Sequence, residues 1–216
     1  MSANPNSAVR SAFNGLRRFA VSRVPTERCE LCEIEIPPQH RHLLEVAKRR
    51  IVCSCDPCAL RFQDVVGGRF QLIPRDAQPL PDFRMTDAQW DELALPISLA
   101  FFFFSSVENK ITALYPGPAG VTESLLPLSS WEALVDANPV LAHTRPDVEA
   151  LLVNRVGNTR EYFLAPIDAC FELVGLIRQH WRGLSGGTEV WRELDRFFGR
   201  LRGAPPSIAE KGAVHA

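Results

Sequence analysis

Two Cys-x-x-Cys pairs near the amino end constrain this chain more than any other feature. Cys29 and Cys32 form the first pair, Cys55 and Cys58 form the second, and residues 33–54 between them have the pattern of a β-hairpin. A Cys-x-x-Cys turn aims two thiolates at one ion, and two such turns complete a tetrahedral site of four sulfurs. We therefore predict that these four cysteines are the ligands of one metal ion.

Cys53 is an alternative metal ligand, because it precedes Cys55 by two residues on a strand and is expected on the same face. The spacing of Cys55 and Cys58 repeats that of the first pair, so we interpret Cys53 as a packing residue under the site. Two disulfides are the competing interpretation of the cluster. Crowding at metal-ligand spacing and the expected lack of a secretory signal favour the metal.

The identity of the metal is less constrained than its ligands. Sites of four thiolates hold zinc as a structural clip or iron as an electron carrier. A rubredoxin-type iron knuckle usually has glycine after its second cysteine, whereas this chain has Glu33 and Ala59 at those positions. We therefore predict zinc, with iron as the alternative.

The composition is that of a globular protein with a small extra module. The chain has 216 residues, of which 46% are hydrophobic and 23% charged, and its net charge is −1. That length allows one ordinary hydrophobic core beside a metal module. The longest apolar run, residues 93–104, is short of the roughly 20 residues of a membrane span and contains Pro96. We expect a cytoplasmic protein, without a nucleic-acid partner because long Lys/Arg runs are missing.

Element signals predict an α+β fold. Its N-terminal zinc-ribbon or rubredoxin-like hairpin module precedes an antiparallel sheet of about four strands packed with helices. Residues 101–104 are all phenylalanine, which predicts a central strand covered on both faces. Residues 115–120 are interpreted as a rigid loop leaving the sheet, and helices are predicted after capping boxes at Thr86–Gln89 and Ser129–Glu132.

The predicted segments are a flexible basic N-terminus (1–26), the metal module (27–73), a linker (74–85), the α+β body (86–202) and a disordered tail (203–216).

Other reactive side chains do not form a catalytic constellation, so we do not expect an enzyme. His143 and His180 are scattered, and Cys170 lies on the apolar stripe of a predicted helix. His40 and His42 lie between the two cysteine pairs, and contact with a second metal is one interpretation of them. We interpret them as surface polar residues, since no further ligand stands at a matching spacing.

Several longer blocks carry a resemblance to a known family: RCELC with CSCDPC, PLSSWEALVDANPVL, VEALLVN, EYFLAPIDACFELVGLIRQHWRG and GGTEVWRELDRFF. Over about residues 25–202 the chain resembles a bacterial family of unknown function, often encoded beside uptake nickel–iron hydrogenases and their maturation proteins. The resemblance implies a cytoplasmic accessory or scaffold protein in hydrogenase assembly. Hydrogenase subunits or maturation factors are the implied partners. A rubredoxin-like electron-transfer protein serving the hydrogenase is the alternative.

Overall fold

The computed structural model describes residues 26–62, 68–124, 131–183 and 185–203, which form a mixed α+β fold with two antiparallel sheets. The predicted basic N-terminus before residue 26, the capping box at Ser129–Glu132 (up to residue 130) and the tail beyond Gly203 lie outside these residues. Among the described helices, none has both the length and the apolar character needed to cross a membrane.

The smaller sheet contains the hairpin predicted between the cysteine pairs. Strand β1 spans Arg41–Glu45, β2 spans Arg50–Ser54 and β3 spans Phe70–Leu72, in the order β2-β1-β3. The hairpin turns through a 3-10 segment at Val46–Lys48 and through Arg49, whose left-handed backbone has a φ of 49°. This turn fixes the register, and the register decides which side chains of the two strands are neighbours.

The larger sheet has six strands instead of the predicted four, in the order β4-β9-β8-β5-β6-β7. In chain order they are β4 (Gln78–Pro79), β5 (Leu99–Ser105), β6 (Lys110–Gly117), β7 (Gly120–Glu123), β8 (Glu149–Asn154) and β9 (Glu161–Pro166). The two additional strands are the short edge strands β4 and β7.

Both edge strands lie where prolines indicated a linker or a loop. Strand β6 pairs with β5 through residues 110–114 and with β7 through residues 114–117. Pro116, which lacks an N–H donor, therefore sits where β6 has a single neighbouring strand, a position that tolerates proline. Residues 115–120 are thus a hairpin and not a rigid exit loop. The segment 74–85, expected to be a linker, contributes β4.

The run of phenylalanines occupies the centre of the sheet as predicted. Phe101 and Phe103 pack in one apolar cluster, together with the two C-terminal helices, and Phe102 packs in a second cluster on the other face. Strand β5 lies between β6 and β8, so it is covered on both faces and paired along both edges. This arrangement explains why consecutive apolar residues suit the strand.

Five helices cover the described strands: α1 (Asp56–Phe62), α2 (Asp87–Glu92), α3 (Trp131–Ala137), α4 (Ile167–His180) and α5 (Gly187–Leu201), with a 3-10 segment at Pro139–His143. The capping box that predicted α2 is confirmed. The N–H of Gln89 donates to Thr86 Oγ1 at 3.2 Å, and the N–H of Thr86 donates to Gln89 Oε1 at 2.9 Å.

The smaller sheet packs against the body. Leu44 of β1 and Ile73, just after β3, are buried in the same cluster as the C-terminal helices. Arg49 at the hairpin turn donates to Ser105 Oγ at 3.1 Å and pairs with Glu108. The cysteine pairs are therefore attached to a sheet that is itself anchored on the larger one.

Candidate metal centre

The four cysteines of the two pairs come together in space. Their Sγ atoms all lie within 4.8 Å of one another, and those of Cys32 and Cys55 are 3.6 Å apart. Tetrahedral zinc with sulfur at about 2.3 Å would separate its ligand atoms by about 3.8 Å. Cys29 and Cys55 are buried, Cys58 is partly buried and Cys32 is exposed. The cluster therefore has the donor set and the size that suit one metal ion.

The first pair stands on a tight turn before the hairpin. Glu33 adopts a left-handed backbone with a φ of 64°, and its N–H donates to the carbonyl of Cys29 at 2.8 Å. The N–H of Cys29 donates to the carbonyl of Ile34 at 2.9 Å, which closes the turn. The chain thus turns around Cys29 and Cys32 with glutamate where a glycine is commonly found.

Glu30, inside the first pair, fastens this turn to strand β2. Its backbone N–H donates to the carbonyl of Cys53 at 2.9 Å, and its side chain accepts the N–H of Cys53 at 2.9 Å. The same carboxylate accepts a hydrogen bond from Arg50 at 2.6 Å. The two halves of the cluster are therefore held in register by protein hydrogen bonds as well as by any bound ion.

The second pair differs from the predicted turn, because Cys58 lies in the first turn of α1. Cys55 directly precedes that helix, and its carbonyl accepts the N–H of Ala59 at 2.9 Å. Pro57 explains the difference, since its fixed φ suits the first turn of a helix and its missing N–H costs nothing there. The arrangement is a turn, a hairpin and a helix, and it does not confirm a zinc-ribbon or rubredoxin-like module.

Backbone N–H groups favour the thiolate form of Cys29. Burial by itself would raise the pKa of this thiol, but hydrogen bonds from the backbone at Cys55, Leu31 and Cys32 outweigh it and lower the pKa from 9.0 to about 6. A sulfur that receives several N–H donors is stabilised as an anion. Cys29 is therefore prepared to bind a cation as thiolate near neutral pH.

The neighbouring thiols respond in the opposite direction. Burial, and then contacts with Cys55, Cys32 and Cys29, raise the pKa of Cys58. The N–H of Ile34 and the contact with Cys58 lower the pKa of Cys32, but desolvation and the contacts with Cys29 and Cys55 outweigh them, so that this pKa is raised. Each thiolate in such a cluster raises the pKa of its neighbours, because like charges repel. A cation bound among the sulfurs removes this repulsion.

All six cysteines of the chain are free thiols. Cys170 is fully buried on α4, where burial raises the pKa of its thiol. The interpretation of the cluster as two disulfides therefore finds no support in the structure.

Cys53 belongs to a second group of potential ligands. It touches the edge of the four-cysteine cluster, but its Sγ also lies within 4.8 Å of the ring nitrogens of His40 and His42. Burial, followed by the nearby charges of Glu30 and Glu27, raises the pKa of this thiol. The structure therefore places Cys53 between two clusters, whereas the sequence favours a packing role for it and keeps metal binding as the alternative.

The histidines next to Cys53 have partners that sequence spacing did not indicate. His42 Nδ1 is 2.6 Å from Asp168 Oδ2, at the start of α4. Strand alternation puts His40 and His42 on one face, which was a readable signal. The opposing position of Cys53 depends on the hairpin register, and Asp168 lies 126 residues away from His42 in the sequence.

Residues 28–205 match the family described as "Family of unknown function (DUF5947)". No curated protein and no solved structure matches the chain.

Proposed function

This chain belongs to DUF5947, a family of unknown function, and from the geometry of its centre we propose that it is a zinc-binding accessory or scaffold protein. Cys29, Cys32, Cys55 and Cys58 are the proposed ligands. The observation that carries the proposal is the convergence of their four Sγ atoms within 4.8 Å. Bound zinc would supply a structural clip and no open coordination position, since four protein ligands complete its tetrahedron.

Two observations support zinc over iron. The second cysteine pair has Cys58 in the first turn of α1 and therefore does not form a second knuckle turn. Glutamate and alanine, and not glycine, follow the two pairs. The clip would join the turn at residues 29–34, strand β2 and helix α1. These segments bury few apolar side chains around the cluster. Besides the cysteines, Ile36 is buried there and Leu31 is partly buried. Small modules of this kind commonly depend on a metal for their stability.

The proposed partner is a protein of hydrogenase assembly, either a hydrogenase subunit or a maturation factor. Support comes from the resemblance of the quoted sequence blocks to the bacterial family found beside hydrogenase genes. We place the partner surface on the body, where Ile97 and Trp191 remain 37% and 40% exposed and line an apolar groove of about 490 Å³. A cytoplasmic location is part of the same proposal.

The second candidate function is electron transfer by iron in the same four thiolates. The N–H groups that lower the pKa of Cys29 favour it, because hydrogen bonds to sulfur also tune the potential of an iron site. In this case the partner would exchange electrons with the chain instead of docking on it during assembly.

Metal analysis separates the two functions. The full chain is produced in medium that contains both zinc and iron, and the metals are measured in the purified protein and in a Cys29→Ser, Cys58→Ser double variant. We expect colourless protein whose four-cysteine centre retains zinc in the presence of a moderate chelator, and loss of that zinc in the double variant. Red protein with a reversible reduction would establish the iron alternative, and equal metal contents in the two proteins would refute both.

Affinity capture tests the partner. The full chain and the double variant are used as paired baits in extract of a host that produces a nickel–iron hydrogenase. We expect hydrogenase subunits or maturation factors to be retained by the full chain and reduced with the variant. Retention of neither class by the full chain would refute the hydrogenase proposal without affecting the zinc assignment.

A further inference from the structure

Three potential metal ligands converge on the face of the hairpin that is turned towards the body, beside the four-cysteine centre. They are His40, which directly precedes β1, His42, which is the second residue of β1, and Cys53 on the opposing strand β2. Residues two apart on a strand share a face, and the hairpin register pairs His42 directly with Cys53. The backbone therefore directs two imidazoles and one thiol to the same place.

We propose that His40 Nε2, His42 Nε2 and Cys53 Sγ bind a second zinc ion with a fourth coordination position open to water. This site goes beyond the structural clip proposed above and shares none of its four ligands.

The Nδ1 atoms of both histidines are within hydrogen-bonding distance of oxygen atoms. His42 Nδ1 lies 2.6 Å from Asp168 Oδ2, and His40 Nδ1 lies 2.9 Å from the carbonyl of Pro37 and 3.3 Å from a carboxylate oxygen of Glu27. Asp168 is in turn oriented by the N–H of Ala169, which donates to its other oxygen at 2.8 Å. Protein ligands of zinc typically have such carboxylate or carbonyl partners on the nitrogen that faces away from the metal.

These partners determine which nitrogen of each ring carries the hydrogen. A carbonyl and carboxylates accept hydrogen bonds, so each neutral ring donates from Nδ1 and leaves a lone pair on Nε2. The two Nε2 atoms are 3.1 Å apart. Two lone pairs that face each other at this distance repel, and a cation between them removes the repulsion.

The distances and donor types fit zinc. Tetrahedral zinc with nitrogen at about 2.0–2.1 Å would place two nitrogen ligands about 3.3 Å apart, close to the observed separation. Imidazole and thiolate are both among the preferred ligands of zinc. A copper electron-transfer site of two histidines and a cysteine often adds a weak axial methionine. Met85, the methionine among the described residues, packs in the cluster on the far face of the larger sheet.

The three side chains leave room for an exchangeable ligand. His40 is nearly buried, with 6% of its side chain exposed, whereas 29% of His42 is exposed and Cys53 is partly buried. Zinc held by three protein ligands keeps an open position for water or substrate. Binding as thiolate requires the proton of Cys53 to leave to solvent, so uptake of the second ion releases a proton.

Metal stoichiometry tests the site in the full-length protein. Zinc per chain is measured at equilibrium with a set of chelators, for the natural chain, for His42→Ala, for Cys53→Ser and for the matched control His143→Ala at an exposed histidine. We expect two ions in the natural chain and in the control, and one ion in each site variant. The double variant Cys29→Ser, Cys58→Ser shows separately whether the first centre is occupied.

Cobalt(II) serves as the spectroscopic probe. We expect cobalt titration of the natural chain to give charge-transfer bands from two thiolate-containing sites, and Cys53→Ser to lose the part due to a single thiolate while the bands of the four-cysteine centre remain. Retention of the latter bands shows that the variant is folded around its first ion, so a lost signal reports on the second site.

Asp168 is a positioning residue in this proposal, and its variants have a defined effect. Asp168→Asn should weaken the affinity for the second ion by about 10- to 100-fold, with the first ion and the circular dichroism spectrum unchanged. Asp168→Glu should restore part of the affinity, because the carboxylate is kept.

Three results would overturn the proposal. One is a single ion per chain in the natural protein, with an imidazole proton visible by nitrogen NMR between the two rings, which would mean that a proton fills the gap. Another is a second ion that His42→Ala and Cys53→Ser bind with the same affinity as the natural chain, which would mean adventitious binding elsewhere. The third is an Asp168→Asn protein with unchanged affinity for the second ion.

Discussion

Glu45 is a nearly buried carboxylate that joins the three strands of the smaller sheet. Only 3% of its side chain is exposed, and it pairs with Lys48 at 3.0 Å, with Arg69 at 2.7 Å and with Arg50 at 3.3 Å. The hydrogen bond from Lys48, together with the hydrogen bond and charge of Arg69, lowers the pKa of Glu45 from 4.5 to about 2 against the opposing effect of burial.

Replacing Glu45 with glutamine should remove the part of the pH dependence of stability that comes from this carboxylate. A lowered pKa in the folded state adds stability that is complete above the ordinary pKa of 4.5 and is lost as the pH falls towards 2. We therefore expect Glu45→Gln to lower Tm at pH 7, and the difference in Tm from the natural chain to narrow below pH 4.5. Thermal unfolding measured at several pH values checks this.

Glu35→Gln is the control for Glu45→Gln. The side chain of Glu35 is 63% exposed and pairs with Arg28 at 3.4 Å. The substitution should therefore change the free energy of unfolding by less than about 1 kcal/mol. A difference for Glu45→Gln that stays constant down to pH 2, or that equals the control, would contradict the ascribed role.

At the scale of single residues, sequence reasoning identified four cysteines that the structure brings together, because two short spacings imply two local turns. The sequence favours a packing role for Cys53 and a surface position for His42, and no spacing connects Asp168 with either residue. Their proximity depends on the hairpin register and on a contact between the smaller sheet and α4, and neither leaves a local pattern in the sequence. Local chemistry is visible in a sequence, whereas contacts between distant segments are not.

Strand β5 is the element on which the larger sheet depends. Phe102 is 1% exposed and stacks on Trp131 with ring centroids 5.6 Å apart, and it lies in the cluster opposite to that of Phe101. Both faces of the sheet therefore need this strand for their packing.

Truncation of Phe102 measures that packing. Phe102→Ala removes a buried ring from a close-packed cluster, so we expect a loss of about 3–5 kcal/mol in the free energy of unfolding, measured with urea. Phe104→Ala on the same strand is the matched control and should lose less, since its side chain is only partly buried. Equal losses for the two variants would show that burial of Phe102 is not what stabilises the strand.

At the scale of elements, the sequence predicted the central strands and missed the edges. The phenylalanine run and the Thr86 capping box were informative because burial and capping act on neighbouring residues. The edge strands at Gln78–Pro79 and Gly120–Glu123 are short and contain proline or glycine, and they form by pairing with a sheet that already exists. The start of α1 at the second cysteine pair was signalled by Pro57, although a turn was predicted there.

In the whole molecule, the two sheets share one apolar cluster while the candidate metal centre lies outside it. Leu44 and Ile73 contribute to the shared cluster, whereas Cys29 and Cys55 form a small separate one with Ile36. The strands β5 and β8 are buried in clusters that do not include the four cysteines of the centre. Removal of the metal should therefore affect the two regions unequally.

Hydrogen exchange detects this difference. After removal of metal with a chelator, we expect backbone amides of residues 29–36 and of β2 to exchange much faster, while those of β5 and β8 keep most of their protection. Restoring zinc should restore the protection. Simultaneous loss of protection in all strands would mean that the metal holds the entire fold, and unchanged exchange at residues 29–36 would contradict a structural role.

X-ray absorption at the zinc edge tests the central claim most directly. The measurement uses the Cys53→Ser variant, so that signal from the second proposed site does not mix with that of the first. We expect zinc with four sulfur neighbours at about 2.3 Å and no nitrogen or oxygen neighbours. A shell that contains nitrogen or oxygen, or a folded protein that binds no zinc, would contradict the assignment of Cys29, Cys32, Cys55 and Cys58 as ligands of one ion.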